Sequence, residues 1–335
     1  MLTKAGVFLL NKLLLIKFTG RYFFKACRKE KKRSQNKTII GGDTVHYEGI
    51  LYRPPSEARS LILQITVGCR HNACTFCTMY KEKTFRLKSR TEIKAMIAEG
   101  LIQNPRAERI FLADGDALAV DTSLLLEILD QLYASFTCLQ RVGIYGGPKD
   151  ILAKTPEEFA ALKAHGLTIV YLGVESGNSE VLNFVRKGVN PEQMINAGQK
   201  LRASGLIISC TVIIGLGGKA LTQAHARDTA RVISEIDPQY LGALTLMVEP
   251  EAPLYEVIQR GEFQLLDPWE SLVELRSMLE NLDVSRCIFR SNHASNYLPL
   301  RAALPEDRTS ILKTLDRVLE TSDPGELRPD YWRGF

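Results

Sequence analysis

A chain of 335 residues with 45% hydrophobic and 24% charged side chains has the balance of a globular protein able to bury a large core, which excludes disorder over most of its length. The formal charge of +5 is unevenly spread: residues 1–45 carry 11 Lys/Arg against 2 Asp/Glu, and the rest carry 32 against 36, so the body is net −4 with no bulk attraction to phosphate. Seven cysteines are too few for a disulfide scaffold, and three of them crowd into one short stretch, which points to reduced thiols and a metal site.

Residues 1–24 are apolar and basic, but Lys12, Lys17 and Arg21 interrupt the run well before the roughly 20 apolar residues that a membrane-crossing helix needs. No clear unbroken apolar core and small-residue cleavage site mark a signal peptide, and a basic amphipathic surface anchor stays open. The favoured expectation is a misplaced start. Residues 29–37 read as polar linker, Gly41-Gly42-Asp43 can translate a purine-rich ribosome-binding sequence, and Val45 would then be a GTG start codon. The organisation expected is a basic tail over residues 1–45, a core over 46–283 and a C-terminal extension over 284–335.

Past Arg53-Pro54-Pro55, apolar runs of β type alternate with helical patterns, the signature of βα units around a parallel sheet. Strands are expected at 61–67, 109–113, 141–145, 168–174, 206–214 and 241–248. Helices with apolar spacing of three and four fall at 91–103, 122–136, 156–165, 191–204 and 222–236. Helical segments follow near 253–260 and 269–282, then a polar stretch over 285–301 and a last helix over about 305–321. Six units exceed what a small doubly wound domain needs and fall short of an eight-fold barrel. The expected fold is therefore α/β, a partial, open-sided (βα)6 TIM-like barrel with a helical C-terminal extension, its chemistry at the C-terminal ends of the strands.

Directly after the first strand runs Gly68-Cys69-Arg70-His71-Asn72-Ala73-Cys74-Thr75-Phe76-Cys77-Thr78-Met79-Tyr80. Three thiolates can hold three corners of a 4Fe–4S cluster and leave the fourth iron open. Zinc is the alternative: His71 could join the cysteines in a closed Cys₃His site, although its position two residues after Cys69 is tight for a tetrahedral clamp.

With these residues in view, the stretch 47–308 resembles the radical S-adenosylmethionine superfamily, closest to bacterial and archaeal members with an RPPSEA segment and a GC-x-x-N-x-CTFC-x-MY loop. The superfamily spacing is C-x3-C-x2-C, whereas this loop is C-x4-C-x2-C. The resemblance implies that Cys69, Cys74 and Cys77 ligate a 4Fe–4S cluster, that Phe76 lies beside the adenine of S-adenosylmethionine, and that the open iron chelates the cofactor's amino and carboxylate groups. It places Asp114, Gly115 and Asp116, after the second strand, where the family binds the methionine amino group. Glu175 and Ser176, after the fourth strand, would face ribose, although Ser176 or Asn178 also reads as a helix cap. Ile214 and Gly215, after the fifth strand, would lie against adenine. The implied activity is reductive cleavage of S-adenosylmethionine to a 5′-deoxyadenosyl radical that abstracts hydrogen from an unknown substrate, with an electron donor such as a flavodoxin or ferredoxin, in the cytoplasm.

On the substrate side, Ser291-Asn292-His293-Ala294-Ser295-Asn296-Tyr297 is dense in donors and acceptors, and Asn292, His293, Asn296 and Tyr80 are the candidate contacts. No nucleic-acid domain, cobalamin domain or transmembrane helix is evident. The competing class is a non-catalytic metal protein, holding structural zinc or a redox-sensing cluster.

Overall fold

The computed structural model describes residues 47–334, so the basic tail read from the sequence lies outside the described residues. In chain order the elements are β1 (Leu61–Gln64), β2 (Thr66–Val67), β3 (Arg86–Leu87), α1 (Arg90–Gln103), β4 (Arg109–Ala113), α2 (Thr122–Ser135), β5 (Arg141–Tyr145), α3 (Pro148–Ala153), α4 (Pro156–Ala164) and β6 (Leu167–Glu175). There follow α5 (Ser179–Phe184), α6 (Pro191–Ala203), β7 (Ile207–Ile214), α7 (Gly218–Ile236), β8 (Tyr240–Thr245), α8 (Pro253–Gln259), α9 (Pro268–Asn281), β9 (Cys287–Arg290), β10 (Arg301–Leu304) and α10 (Arg308–Thr321). One sheet carries the order β1-β4-β5-β6-β7-β8-β9-β10, parallel except for the last pair, and β2 pairs with β3 in a separate antiparallel ribbon. β1 and β10 end the order, leaving the sheet open.

Every expected helix is present, and so is every expected strand, except that the run expected as one strand at 61–67 divides into β1 and β2, which belong to different sheets, and the strand expected to 248 ends at Thr245. The helix starts follow from local chemistry: Ser89, Thr155, Asn190 and Asp267 each cap a helix in a reciprocal box with the acid or amide three residues on, and proline stands in the first turn of α4, α6 and α9. The polar stretch at 285–301 differs from expectation, because it contributes β9 and β10. Both are four residues long and flank a polar loop, so their alternation is too brief to stand out. Cys287, Phe289, Ala302 and Leu304 are nevertheless buried on the helix side of the sheet.

Alternation along β7 defines the two faces of the sheet. Ile208, Cys210, Val212 and Ile214 sink into the layer between sheet and helices, whereas Ile207, Ser209, Thr211 and Ile213 stay half-buried on the concave side. The concave side has its own small core of Ile62, Phe111, Ala113, Ile169 and Tyr171, with Leu51 and Tyr145 against it. Phe111 meets Tyr145 and Tyr171 edge-on, at 4.8 and 5.5 Å between ring centroids. The Pro-Pro-Ser-Glu segment closes this lumen from the N-terminal ends of the strands. Glu57 is fully buried there, taking hydrogen bonds from Arg141 (2.5 Å), the Tyr171 hydroxyl and Ser60. A buried carboxylate is tolerated only when so fully partnered. The cysteine loop and the other βα loops lie at the opposite, C-terminal ends of the strands, the mouth of the sheet.

Candidate functional site

The cysteine loop leaves β2 through Gly68, whose φ of +75° suits glycine, and is held by two acids from the turn after β4. Asp114 accepts from Gly68 N (3.2 Å), Gln64 Nε2 (3.2 Å) and Lys83 Nζ (2.7 Å) through one oxygen. Asp116 accepts from Arg70 N (2.5 Å), His71 N (3.3 Å) and the Cys69 thiol (3.3 Å). Farther on, Thr75 N donates to Val185 O at 3.0 Å and Leu254 N donates to Thr75 O at 2.9 Å, so α5 and α8 grip the loop from both sides. Asn72, at φ +37°, donates to Tyr80 O at 2.8 Å, and Thr78 bonds Glu249 beyond β8.

Gly115 is the contact point between the two loops. A Cβ there would stand 2.9 Å from Cys69 Cβ, 2.9 Å from Tyr80 Cε2 and 3.1 Å from Gly68 O, so only glycine lets the acid turn seat the cysteine loop.

Cys69, Cys74 and Cys77 are free and half-buried. Burial, reinforced by Asp116, pushes the Cys69 thiol up to about 12; burial also raises Cys74, where Lys187 opposes it, and Cys77. Thiols so placed stay protonated until a metal binds the sulfur and displaces the proton to a base. The donor set fits an iron–sulfur cluster, in which each cysteine serves its own iron. It fits the Cys₃His alternative poorly, since His71 Nε2 lies 2.7 Å from Arg186 O and Nδ1 lies 3.4 Å from the Lys149 ammonium. Among the described residues no three His, Cys, Asp or Glu side chains are grouped as ligands of a single ion.

Beside the cysteines, Glu175 (φ +64°) accepts from Lys187 Nζ at 3.0 Å. Burial alone would lower the Lys187 pKa; the Glu175 carboxylate, then Cys74, hold it above the ordinary lysine value. Ser176 is fully buried and accepts from Asn178 N at 3.0 Å, and Asn178 caps α5, so the capping expectation falls to Asn178. Phe76 and Ile213 both pack, half-buried, against one apolar cluster of Val181, Val185, Leu216, Leu246, Leu254 and Phe263. Ile214 lies on the opposite, helix-facing side of β7, so Ile213 is the residue that shares Phe76's environment. Gly215, at φ +84°, donates its N–H to Glu274 Oε1 at 2.6 Å. Glu274, from α9, is fully buried and also accepts from Thr222 Oγ1 (2.6 Å) and lies 3.0 Å from His225 Nδ1. Lys187, Glu249 and Glu274 escape a sequence reading: each is one charged residue in a helical or loop context, with no spacing that ties it to the cysteines.

The loop after β9 also reaches the mouth. Asn296 is buried, accepting from Thr245 Oγ1 and donating to Ala243 O, both at 2.9 Å, and so ties the loop to β8. His293 Nδ1 accepts from Ser295 N at 3.1 Å. Burial, then Arg328, lowers the His293 pKa. Arg328 donates to the carbonyls of His293, Ala294 and Asn296, and Arg333 stacks 3.9 Å over the Tyr297 ring. Asn292 is exposed, and Tyr80 is buried under the cysteine loop, edge-on to Tyr52 at 5.9 Å.

The sequence profile of the Radical SAM superfamily matches residues 63–233. An uncharacterized methyltransferase of Pyrococcus horikoshii is 25% identical over 226 residues, covering 65% of this chain and 46% of that protein. The heme chaperone HemW of Bacillus subtilis is 22% identical over 175 residues, covering 51% and 45%. The chain thus spans about half the length of the curated relatives it matches. Among solved structures, the radical S-adenosylmethionine methyltransferase TsrM of Kitasatospora setae, with cobalamin and a [4Fe-4S] cluster bound, superposes with a TM-score of 0.50 at 18% identity, covering 60% of this chain and 39% of that one. At that identity the likeness is one of fold.

Proposed function

The chain belongs to the radical SAM superfamily, and on that premise we propose that it is a radical S-adenosylmethionine enzyme whose 4Fe–4S cluster is held by Cys69, Cys74 and Cys77. Cluster and S-adenosylmethionine, when bound, supply a carbon-centred radical able to take hydrogen from an unactivated C–H bond.

The chain's own residues bind, orient and exclude water. Asp116, on Cys69 and the two loop amides, is the nearest base to the proton that Cys69 gives up on loading. Lys187 is a buried cation beside thiolates, and its charge offsets theirs. Phe76 and Ile213 form an apolar wall suited to an adenine face, while Glu175 and the Gly215 turn border it. Asp114, Gly115, Ser176 and Ile214 stand behind these surfaces, and Asn292 and His293 face the substrate side. The reading includes an electron donor such as a flavodoxin or ferredoxin and a cytoplasmic setting; no helix of the described residues is long and apolar enough to cross a membrane.

The observation that carries the proposal is the trio of free cysteines at the open mouth of a parallel sheet, seated by two acids from the neighbouring strand. Anaerobic reconstitution tests it. About four iron and four sulfide per chain are expected, with 5′-deoxyadenosine formed once reductant and S-adenosylmethionine are added and lost when any of the three cysteines becomes serine. A colourless, zinc-filled protein overturns it.

A further inference from the structure

Across the concave face, the register of four neighbouring strand pairs lines up Gly173, Thr211, Gly242, Arg290 and Arg301 in one row. The two arginines end it, directly opposite each other on β9 and β10. Cys287, Phe289, Ala302 and Leu304 are buried among the helices, so Arg290 and Arg301 project from the concave face, where both are exposed at the mouth end.

Like charges directly opposite on an antiparallel pair, with Cβ atoms about 5 Å apart, repel each other. Other arginines of the chain, such as Arg141, Arg276 and Arg317, have a carboxylate partner. Among the described residues neither Arg290 nor Arg301 has one, nor any side-chain hydrogen bond. Protection of the edge strand β10 accounts for one charge there, but gives no reason to set a second like charge against it. At Gly242, beside the pair, the row is open, since a Cβ there would meet only Cys210 O, at 3.9 Å. Gly173, at its other end, lies beneath the Glu175–Lys187 pair, with Glu175 Oε1 filling the place where its Cβ would be and Lys187 Nζ 3.4 Å from it, so the row ends on that pair.

We propose that Arg290 and Arg301 bind an oxyanion of the substrate, a carboxylate or a phosphate, with the rest of the molecule lying along the row toward Glu175. Two guanidinium forks side by side match the geometry of such a group and relieve their repulsion on it. Three strand spacings of about 4.8 Å separate Gly173 from Arg290, so the substrate has roughly 14 Å in which to place its reacting carbon. This rests on the radical SAM reading of the mouth and adds the chemical class of what enters it.

The test uses the full chain, reconstituted anaerobically with S-adenosylmethionine and without reductant, titrated with inorganic phosphate or acetate against chloride at equal ionic strength. A saturable rise in melting temperature is expected with at least one of the two anions, and the one effective at lower concentration identifies the group. R290A/R301A should abolish the rise, and R290K/R301K should weaken the anion by about tenfold, or about 1.4 kcal/mol, because charge alone is not a fork. In chloride, R301A should melt at the same temperature or higher, having lost a repulsion. No rise with either anion, an equal rise in R290A/R301A, or a lower melting temperature for R301A in chloride overturns the proposal. Anion binding is read without electron transfer, so its failure is distinct from a failure to load iron or cleave the cofactor.

Discussion

Lys187 Nζ lies 3.0 Å from Glu175 Oε1, with 12% and 14% of the two side chains exposed, at the end of the strand that faces the cysteine loop. Removing one member of such a pair strands the other charge in a poor solvent. Lys187→Met is therefore expected to destabilise the protein by about 3 kcal/mol and to lower iron retention, because the thiolates lose their nearest buried cation. Glu175→Gln keeps that cation and should retain iron while weakening S-adenosylmethionine binding. Chemical denaturation with iron analysis checks both; equal iron loss in the two variants would refute the separation of roles.

Gly115→Ala places a methyl 2.9 Å from both Cys69 Cβ and Tyr80 Cε2. Neither neighbour is a flexible chain end, so the cysteine loop must shift. Overpacking of this kind costs about 1–3 kcal/mol. The expected outcome is a modest fall in melting temperature with a larger fall in iron bound per chain. Wild-type iron content in the alanine variant would mean that the acid turn does not seat the loop.

Glu274 reaches the Gly215 turn from α9, so the turn is held by an element far from it in the chain. Glu274→Ala leaves Gly215 N and Thr222 Oγ1 without their acceptor beside His225, each unmet donor costing about 1–3 kcal/mol. Hydrogen exchange at residues 215–222 should accelerate, and S-adenosylmethionine affinity should fall with it. Glu274→Gln keeps one acceptor and should show a smaller version of both effects. Unchanged exchange in the alanine variant would sink the assignment.

What the sequence discloses follows from how local each feature is. The β4 and β7 runs, and the cysteine triplet behind β2, are contiguous, so composition and spacing reveal them. β9 and β10 are hidden because four residues carry only two buried side chains each. The Asp114 and Asp116 contacts are hidden for a different reason: their positions after β4 are legible, but that they face the cysteine loop depends on the pairing of β1 with β4. Ile213 and Ile214 differ by one residue, and the pleat sends them to opposite faces; a continuous apolar run such as 212–214 carries no mark of which is which.

His293 supplies a pH dependence. Its ring is partly buried and its Nδ1 accepts from Ser295 N, while Arg328 stands close, and its pKa falls below the ordinary 6.5, burial being the larger cause. The unfolded chain therefore takes up a proton at a pH where the folded chain does not. Stability is full above about pH 6.5 and declines as pH falls below it, by at most about 1.4 kcal/mol per pH unit for one proton, until the folded ring is protonated as well. His293→Asn offers an oxygen in place of Nδ1 and cannot titrate there. Melting temperatures between pH 7.5 and 5 should fall more steeply in the wild type than in His293→Asn, with the two curves parallel above pH 7. Parallel curves throughout would mean that the ring titrates alike in both states and that the loop after β9 does not bury it.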